Sequence, residues 1–492
     1  MADVTPYSTA RPYFGQLPTW MTEMDAQRIS SYAAYENMYN NVPETFKLVF
    51  RGSEDNPIYV PSGRLIVDTV GRYVGKGFGF KVDPAAGSPA EQLLAIEAFG
   101  SLFKRERFVS KFHSNKRFGL IRGDWCFHIT ADPAKPEGTR LTITPLDPAS
   151  YFPIFNPDNI DQMWGADIVE QVSINDRSYI KRQRYLKSDH PDRDGVPGGA
   201  VSVQIDILEV DGWNTSAPKF YQRNVLPFTV LPPEITAVPI YHIRNNEEPQ
   251  NPFGSSEMRG LERIMAAVNQ AISDEEIALA LEGLGMYATD GGSPIDENGD
   301  ETEWALGPGK VVEVGAGRSF TRVNGIGTVG PFQDHIAYLE AKIRESAPLP
   351  DVAVGKVDVA VAESGVSLAL QMAPILDAAE LKDLAVQDTM NQMLFDLRNW
   401  LKIYEGVNLD NVGVECAFGQ KLPVNRKERM AELQDLYANG VISTKFYRDT
   451  LVSEFGFVFP ESMEQEIEAE RAAADPYADR LGEEGVIEDV VE

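Results

Sequence analysis

Two long helical patterns constrain the fold more than any other feature of this sequence. The first covers about residues 256–281 and would span roughly 39 Å at about 1.5 Å per residue. We expect Ser255 or Ser256 to cap its start, and a capping-box pattern that begins at Ser273 could mark a break inside it. The second covers 364–404 and contains Pro374, which is expected to kink it. The first pattern carries an apolar stripe at three- and four-residue spacing: Leu261, Ile264, Met265, Val268 and Ile272.

Shorter elements of both kinds surround these helices. Residues 91–112 have a helical period with its apolar face at Leu94, Ile96, Phe99, Leu102 and Phe103. Another helix is expected to open at Pro331 and to stop at 347–350, and two more cover 427–438 and 444–455, the last capped by Ser443. Runs typical of strands are 124–130, 141–144, 168–174, 179–185, 201–210, 235–243 and 412–418, with a short one at 310–314. The predicted class is α+β with much antiparallel pairing.

Composition and charge limit the function classes. The chain has 492 residues, 43% of them hydrophobic, which suits roughly three folded domains. Its formal charge of −29 disfavours an ordinary DNA-binding protein, because such proteins neutralise phosphates with Lys and Arg. Two cysteines cannot build a disulfide framework and suit a reducing cytoplasm. No run of about 18 apolar residues occurs, so no membrane span is expected, and the first residues do not resemble a signal peptide.

The sequence lacks the common catalytic motifs. It contains no GxxxxGK[ST], GxSxG, HExxH or CxxC pattern. Residues 75–79 (GKGFG) resemble a phosphate-binding loop only loosely, and a strand turn is favoured there. An ATPase, a serine hydrolase or a zinc protein is therefore not predicted.

Two groups of residues suggest metal ligands on first inspection. Asp124, Cys126 and His128 alternate along one strand and share a face, but three mixed ligands on one strand converge poorly, so a structural role is favoured. The loop that starts at Asp296 resembles a calcium loop, yet it has Glu301 and Gly307 where an EF-hand needs Gly and Glu. No metal or cofactor is predicted.

A basic stretch runs from Lys104 to Arg122. Seven cations alternate with four phenylalanines, a pattern that suits either a nucleic-acid or partner surface or an amphipathic helix with a basic outer face. The helix is favoured because the phenylalanines are periodic.

The order of segments resembles the portal proteins of tailed double-stranded DNA phages. The resemblance rests on 238–245 (VPIYHIRN), then 252–256 (PFGSS), then a long helix that contains Asn269, Ser273 and Asp274. It continues through a small module, a returning helix, a loop, a kinked long helix, a strand and C-terminal helices, over about residues 30–460.

The resemblance implies a portal fold with a wing of mixed α/β structure, a long helical stem, a small α/β clip and a helical crown. It also implies a ring of about twelve subunits at one capsid vertex, without enzymatic activity or cofactor, through which double-stranded DNA passes. The implied partners are the major capsid protein, the terminase large subunit and a head-to-tail adaptor protein, with no membrane; the location is the virion, after assembly in the host bacterial cytoplasm. The implied segments are 1–25 (arm), 26–252 (wing), 253–282 (stem helix), 283–330 (clip), 331–349 (returning stem helix), 350–363 (tunnel loop), 364–420 (kinked helix and wing strand) and 421–492 (crown with an acidic tail).

Charge in the implied tunnel loop is sparse. Lys356 is its only cation, between Asp351 and Asp358, and we expect it to face the DNA. Gly365 would act as the hinge between the loop and the next helix, which Pro374 kinks. Residues 461–492 hold twelve acids and two arginines, a net charge of −10, and are expected to be largely solvated.

Two alternatives remain open. One is another capsid or connector component without a DNA channel. The other is a metal-dependent nuclease that uses the acidic 290–303 loop.

Overall fold

A computed structural model of the chain describes residues 4–6, 18, 20–49, 57–174, 177–190, 199–211, 219–284, 286–290, 293, 318–323, 329–355, 365–421, 426–457, 459 and 463. The chain divides into two compact units, Met1–Lys421 and Leu422–Glu492. Helices and antiparallel strands are mixed along the first unit, which confirms the general α+β prediction. The predicted tail and the predicted strand at 310–314 lie outside the described residues, apart from residue 463 of the tail.

Helices of the first unit begin at recognisable caps. Thr22 and Ser88 each form a capping box, with Asp25 and Glu91 respectively, and Pro331 occupies the first turn of a third helix. The helices are α1 (Glu23–Tyr39), α2 (Ser62–Gly71), α3 (Pro89–Glu106), α4 (Phe108–Arg122), α5 (Glu262–Leu284), α6 (Gly330–Ser346) and α7 (Gly365–Glu405). The second unit has α8 (Arg426–Ala438) and α9 (Thr444–Phe455), and Ser443 caps α9 as predicted.

The described strands are β1 (Val4–Pro6), β2 (Gly79–Val82), β3 (Asp124–Ala131), β4 (Leu141–Leu146), β5 (Tyr151–Asn156), β6 (Asn159–Ile174), β7 (Arg177–Lys187), β8 (Val201–Asp211), β9 (Lys219–Val225), β10 (Thr229–Val230), β11 (Ile240–Arg244), β12 (Met286–Thr289), β13 (Phe320–Val323) and β14 (Val414–Ala417). They form a seven-stranded sheet in the order β1-β6-β7-β8-β10, with β5 beside β6 and β9 beside β8. A three-stranded sheet has the order β11-β3-β4, and β12–β13 and β14–β2 form separate pairs. All of these pairings are antiparallel.

The three-stranded sheet lies at the centre of the first unit because both of its faces are apolar. Trp125, Phe127 and Ile129 alternate along β3 and join a core cluster with α3, α4 and α7. Cys126 on the opposite face belongs to a second cluster with residues of the seven-stranded sheet, such as Ile168. The strand is therefore buried on both sides, which explains how Asp124 comes to be fully buried.

The helical pattern at 91–112 forms two helices instead of one. Arg107 adopts a left-handed φ of 52° and separates α3 from α4. The turn brings the rings of Phe103 and Phe108 within 4.8 Å, both in the core, and leaves Leu94 and Ile96 exposed. The predicted apolar face was thus wrong at Leu94 and Ile96, because the buried face of the helix runs through Ala95, Phe99, Leu102 and Phe103 and these two residues lie on either side of it.

The basic stretch also differs from a single amphipathic helix. Lys104, Arg107 and Arg117 are exposed on α3 and α4, but Lys116 and Arg122 are buried. The Lys116 ammonium donates to the carbonyl of Gly71 at 2.8 Å, and burial lowers its pKa to about 8.

The start of the first long helix was predicted six residues too early. Helix α5 begins at Glu262, because Gly260 adopts a φ of 85° that a helix cannot continue through. Neither Ser255 nor Ser256 caps it, since these residues belong to the turns that precede it. No break occurs at Ser273, whose hydroxyl donates to the Asn269 carbonyl at 2.7 Å.

Other elements lie close to their predicted positions. Helix α6 opens with Pro331 and ends before Ala347, and α7 contains Pro374. The predicted strand at 235–243 is shorter, since Pro239 has no N–H for a ladder and β11 starts only at Ile240. Within the residues that the structure describes, no helix is both long and apolar enough to cross a membrane.

Candidate functional site

The predicted channel residues are only partly described. Asp351 follows α6, and its carboxylate lies 2.9 Å from the Nε atom of Arg344 in the last turn of that helix. Lys356 and Asp358 lie outside the described residues. Gly365 is the first residue of α7, and Pro374 lies ten positions into it. Arg344 was missed by the sequence reasoning, although a cation in the last turn of a helix before a proline-containing stop is a recognisable signal.

A buried carboxylate connects the residues that carry the family resemblance. The Oδ1 atom of Asp124 accepts from the Nε2 atom of His242 at 2.7 Å and from the Gly254 N–H at 2.8 Å, and its Oδ2 accepts from the hydroxyl of Tyr32. Burial alone would raise the pKa of Asp124, but the hydrogen bonds and the attraction of His242 outweigh it and hold the pKa below its ordinary value. Asp124 of β3 is therefore bound both to the neighbouring strand β11 and to the turn before α5.

We call Asp124, strand β11 and the 252–256 turn the junction, and Arg28 attaches helix α1 to it. Its guanidinium donates to the carbonyls of Pro148 at 2.6 Å and Tyr151 at 2.9 Å, and it pairs with Asp25 at 2.9 Å. The same group lies 4.2 Å from the centre of the Phe253 ring. Phe253 belongs to the 252–256 turn, so this buried cation contacts the turn as well as strand β5 and helix α1.

Lys382 attaches α7 to this turn. Its ammonium lies 2.5 Å from the Glu257 carboxylate and 3.1 Å from the Asn245 side-chain oxygen. Asn245 in turn donates to Glu257 at 2.7 Å, and the Lys382 and Glu257 side chains are only 10% and 7% exposed. An ion pair this deeply buried and hydrogen-bonded fixes α7 relative to the start of α5.

Polar residues of α5 bind backbone groups that precede helix α2 in the chain. Asn269 accepts from the Val60 N–H at 2.8 Å, and Ser273 accepts from the Ile58 N–H at 2.9 Å. Gln270 accepts from the Val49 N–H at 2.8 Å. Asn269 and Ser273 therefore bind backbone groups, which explains why two polar side chains of this helix are buried.

The junction borders a large groove. Its volume is about 870 Å³, and it lies between the 244–260 turns, the end of α6 and the outer side of α7. Leu381 and Leu384 form part of its apolar wall, while Arg259 and Asp388 contribute charge.

The outer side of α7 carries large apolar residues in contact with solvent. Leu370, Leu381, Leu384 and Phe395 are 71%, 70%, 57% and 54% exposed. At about 100° per residue they fall within an arc of roughly 60°, over a length of about 38 Å. Asp377 and Asp388, also exposed, lie between them on the same side of the helix. Large exposed apolar residues that recur along one side of a helix are typical of a protein interaction surface.

Cys126 and His128 take part in the packing between the two sheets, while Asp124 binds Tyr32, His242 and the Gly254 N–H. His128 lies 3.0 Å from the Tyr185 hydroxyl, and burial lowers its pKa to about 4. Burial also raises the pKa of the Cys126 thiol far above its ordinary value. Across the described part of the chain, no group of three or more His, Cys, Asp or Glu residues is arranged to hold a metal ion. The structural role favoured by the sequence agrees with these contacts.

Comparisons with known proteins give only distant similarities. No protein-family model and no curated protein matches the chain. Among solved structures, a chain from the virion of a native gene transfer agent particle is similar with a TM-score of 0.44 and 12% identity, over 89% of this chain and 95% of that one. A chain from the neck of the native particle, computed with C12 symmetry, has a TM-score of 0.42 and 13% identity, over 81% and 96%. A chain from the neck of the empty particle, computed with C6 symmetry, has a TM-score of 0.44 and 13% identity, over 89% and 95%.

Proposed function

We propose that the protein is the portal of a tailed double-stranded DNA phage. In this role it forms a ring at one capsid vertex that conducts the genome during packaging and ejection. The observation that carries the proposal is the order of elements around the buried junction: strand β11, the Gly254 turn, the long helix α5, the returning helix α6 and the long helix α7. This is the order that the sequence resemblance implies for wing, stem and kinked helix.

The outer side of α7 supports assembly into an oligomer. Its four exposed apolar residues would be costly to keep in water over such a length, and a neighbouring subunit can cover them. In the proposed ring, α5 and α6 form the stem, the β12–β13 pair belongs to the clip, and α8 and α9 belong to the crown. The capsid protein would contact the wing, and the terminase large subunit and the adaptor protein would contact the clip.

The acidity of the chain suits a channel through which DNA slides. Many phosphate contacts would act as a brake, because each contact adds binding free energy. A net charge of −29 per subunit repels the duplex, and twelve copies of Lys356 would form a single ring of positive points. The proposed role is thus passage of DNA without a tight grip.

Imaging of the purified assembly tests the proposal. Class averages of negatively stained particles, viewed down the axis, are expected to show a ring with a central hole wide enough for a DNA duplex. A ring without a hole would favour a connector component without a channel. A compact monomer that cleaves DNA in the presence of a divalent metal would overturn the proposal in favour of a nuclease.

Lys356→Glu is expected to change the length of packaged DNA. The substitution replaces the positive charge of residue 356 in each subunit of the proposed ring by a negative charge, so brief contacts with DNA phosphates are lost. The length of DNA in purified particles, measured by pulsed-field electrophoresis, checks this. Lys402→Glu is the control. Lys402 is an exposed lysine of α7 that pairs with Asp410. Packaged DNA of unchanged length in Lys356→Glu particles would contradict the role of Lys356.

A further inference from the structure

Helices α2 and α4 carry a basic surface that is open to solvent. Arg64 and Arg72 are exposed on α2 and at its end, and Arg117 is exposed on α4. Leu65 and Phe118 lie beside them and are 44% and 36% exposed. We call these five residues the arginine surface, which combines positive charge with apolar area.

Contacts with Tyr39 show that the two helices bring these residues together. The guanidinium of Arg64 lies 5.4 Å from the centre of the Tyr39 ring. Burial and a hydrogen bond to Asp68 raise the pKa of Tyr39, whereas the positive charges of Arg117 and Arg64 oppose the rise, so both arginines lie near this hydroxyl. Arg72 follows Arg64 by about two turns on the same side of α2.

The acids beside this surface already have hydrogen-bond partners. Asp68 of α2 accepts from the buried Tyr39 hydroxyl at 3.0 Å, and Glu36 pairs with Arg122 at 2.8 Å. Among the residues that the structure describes, no carboxylate forms an ion pair with an arginine of the arginine surface. In a chain with a net charge of −29, three such arginines in one place indicate an acidic partner.

The outer side of α7 has the opposite charge. Asp377, Glu380 and Asp388 are exposed there, and none of them pairs with a cation in the described part of the chain. Leu381 and Leu384 lie among them and are 70% and 57% exposed. At about 100° per residue, the five side chains fall within an arc of roughly 100° over about 17 Å of helix. We call these five residues the acidic face of α7.

Both surfaces point away from a core cluster that α4 and α7 share. Phe112 of α4 and Met393 of α7 belong to this cluster. Arg117 lies about 140° around α4 from Phe112, and Leu384 lies about 180° around α7 from Met393. The arginine surface and the acidic face of α7 are therefore separate parts of the first unit.

Symmetry favours the pairing of these two surfaces. A ring of more than two identical subunits closes only through head-to-tail contacts, in which two different surfaces of the chain pair. Pairing of either surface with itself would bring like charges together, whereas pairing of one with the other places arginines against carboxylates and apolar side chains against leucines. DNA phosphates would also attract the arginines, but they would leave Leu65 and Phe118 without apolar partners.

We propose that the arginine surface of one copy packs against the acidic face of α7 of the next copy, and that this is the repeating contact of the ring. This inference rests on the proposed function only in assuming a ring. It assigns two surfaces to the contact between subunits, which the proposed function leaves open.

Charge reversal on one surface and then on both tests the pairing. The first variant is Arg64→Glu with Arg117→Glu, the second is Asp377→Arg with Asp388→Arg, and the third combines all four substitutions. The first two are each expected to associate about 30-fold more weakly than wild type, because like charges then face each other. The third is expected to return to within about 3-fold of wild type, because opposite charges meet again. Sedimentation velocity over a range of protein concentrations measures the association.

A matched control separates this contact from a change in net charge. Lys104→Glu with Lys135→Glu alters the net charge as much as the first variant does, at two exposed lysines outside both surfaces. It is expected to keep the rings. Circular dichroism and the thermal midpoint verify that each variant is folded.

Several outcomes overturn the pairing. Wild-type association of either of the first two variants would overturn it, and so would a folded third variant that stays monomeric. Intact rings of the first variant that no longer bind a short DNA duplex in a mobility-shift assay would assign the arginines to DNA instead. Wild-type rings with a hole, together with rings from the variants, would refute the pairing and leave the portal proposal intact. A monomeric wild type would refute both.

Cross-linking tests the same contact without any change of charge. Cys126 and Cys416 are both buried, so new surface cysteines can be studied in the otherwise native chain. Leu65→Cys with Leu384→Cys in one chain is expected to give a ladder of covalent multimers with a short bis-maleimide, while either substitution alone gives monomers. Monomers alone from intact rings of the double variant would overturn the proposal, and so would covalent dimers from Leu384→Cys alone.

Discussion

Gly254→Ala is expected to lower the free energy of unfolding of the first unit by about 3 kcal/mol or more. A Cβ at this position would lie 2.6 Å from the backbone nitrogen of Asn245 and still closer to the carbonyl oxygens of Gly123 and Asn245. These are backbone atoms that belong to two further hydrogen-bonded segments, since the Asn245 N–H donates to the Gly123 carbonyl at 2.7 Å and the Ser255 N–H to the Asn245 carbonyl at 2.8 Å. None of the three segments can move without breaking these bonds.

Urea denaturation followed by tryptophan fluorescence measures the effect. All six tryptophans precede residue 422, so the signal reports on the first unit alone. Gly100→Ala is the matched control: its Cβ would meet no atom, and alanine is expected to gain up to about 1 kcal/mol within helix α3. Both variants and wild type are compared at one protein concentration, because assembly would add to the apparent stability. Equal midpoints for Gly254→Ala and wild type would contradict this prediction and would show that the turn can accommodate a methyl group at residue 254.

The long helices could be predicted because their periodic pattern spans many turns. Helices α6, α7 and α9 begin and end within about two residues of the predicted positions. The start of α5 and the division between α3 and α4 could not be predicted in this way. Both depend on a left-handed residue, Gly260 and Arg107, and an arginine with a positive φ leaves no signal in the sequence.

The candidate site could be predicted only in part, because many of its contacts form only when the chain is folded. Residues of the 238–256 segment were singled out through the family resemblance, but their contacts with Tyr32 and Asp124 join parts of the chain that are far apart in sequence. The exposed apolar residues on the outer side of α7 were missed because Leu381 and Leu384 look like core residues in a helix that also buries Met372 and Ile375. The periodicity of a sequence shows which residues of a helix are apolar. It does not show which of them are buried, because this depends on how the helix packs in the folded chain. The roles of Lys356, Asp351, Asp358, Gly365 and Pro374 stay predictions.

Asp124→Ala is expected to lower the free energy of unfolding by about 3–5 kcal/mol. The substitution removes the acceptor of His242, Tyr32 and the Gly254 N–H together, inside a site without access to water. Asp124→Asn keeps the shape of the side chain and one acceptor oxygen, so it is expected to lower the free energy of unfolding by less, about 1–3 kcal/mol. Glu415→Gln is the control, since it alters a half-exposed ion pair with Lys81 and is expected to change stability by less than about 1 kcal/mol.

The pH dependence separates the charge of Asp124 from its packing. The folded pKa of this carboxyl lies below its ordinary value, so the unfolded chain binds the proton more readily than the folded chain does. The stabilisation from the charge is therefore complete at a pH above the ordinary pKa and is lost as the pH falls through the folded pKa. The difference in unfolding free energy between wild type and Asp124→Asn should be constant near neutral pH and should shrink in acid, while other carboxyls titrate equally in both proteins and cancel. A difference that stays constant down to the lowest pH at which the proteins fold would mean that hydrogen-bond geometry, and not the negative charge, connects His242 of β11 and the Gly254 turn to Asp124 of β3.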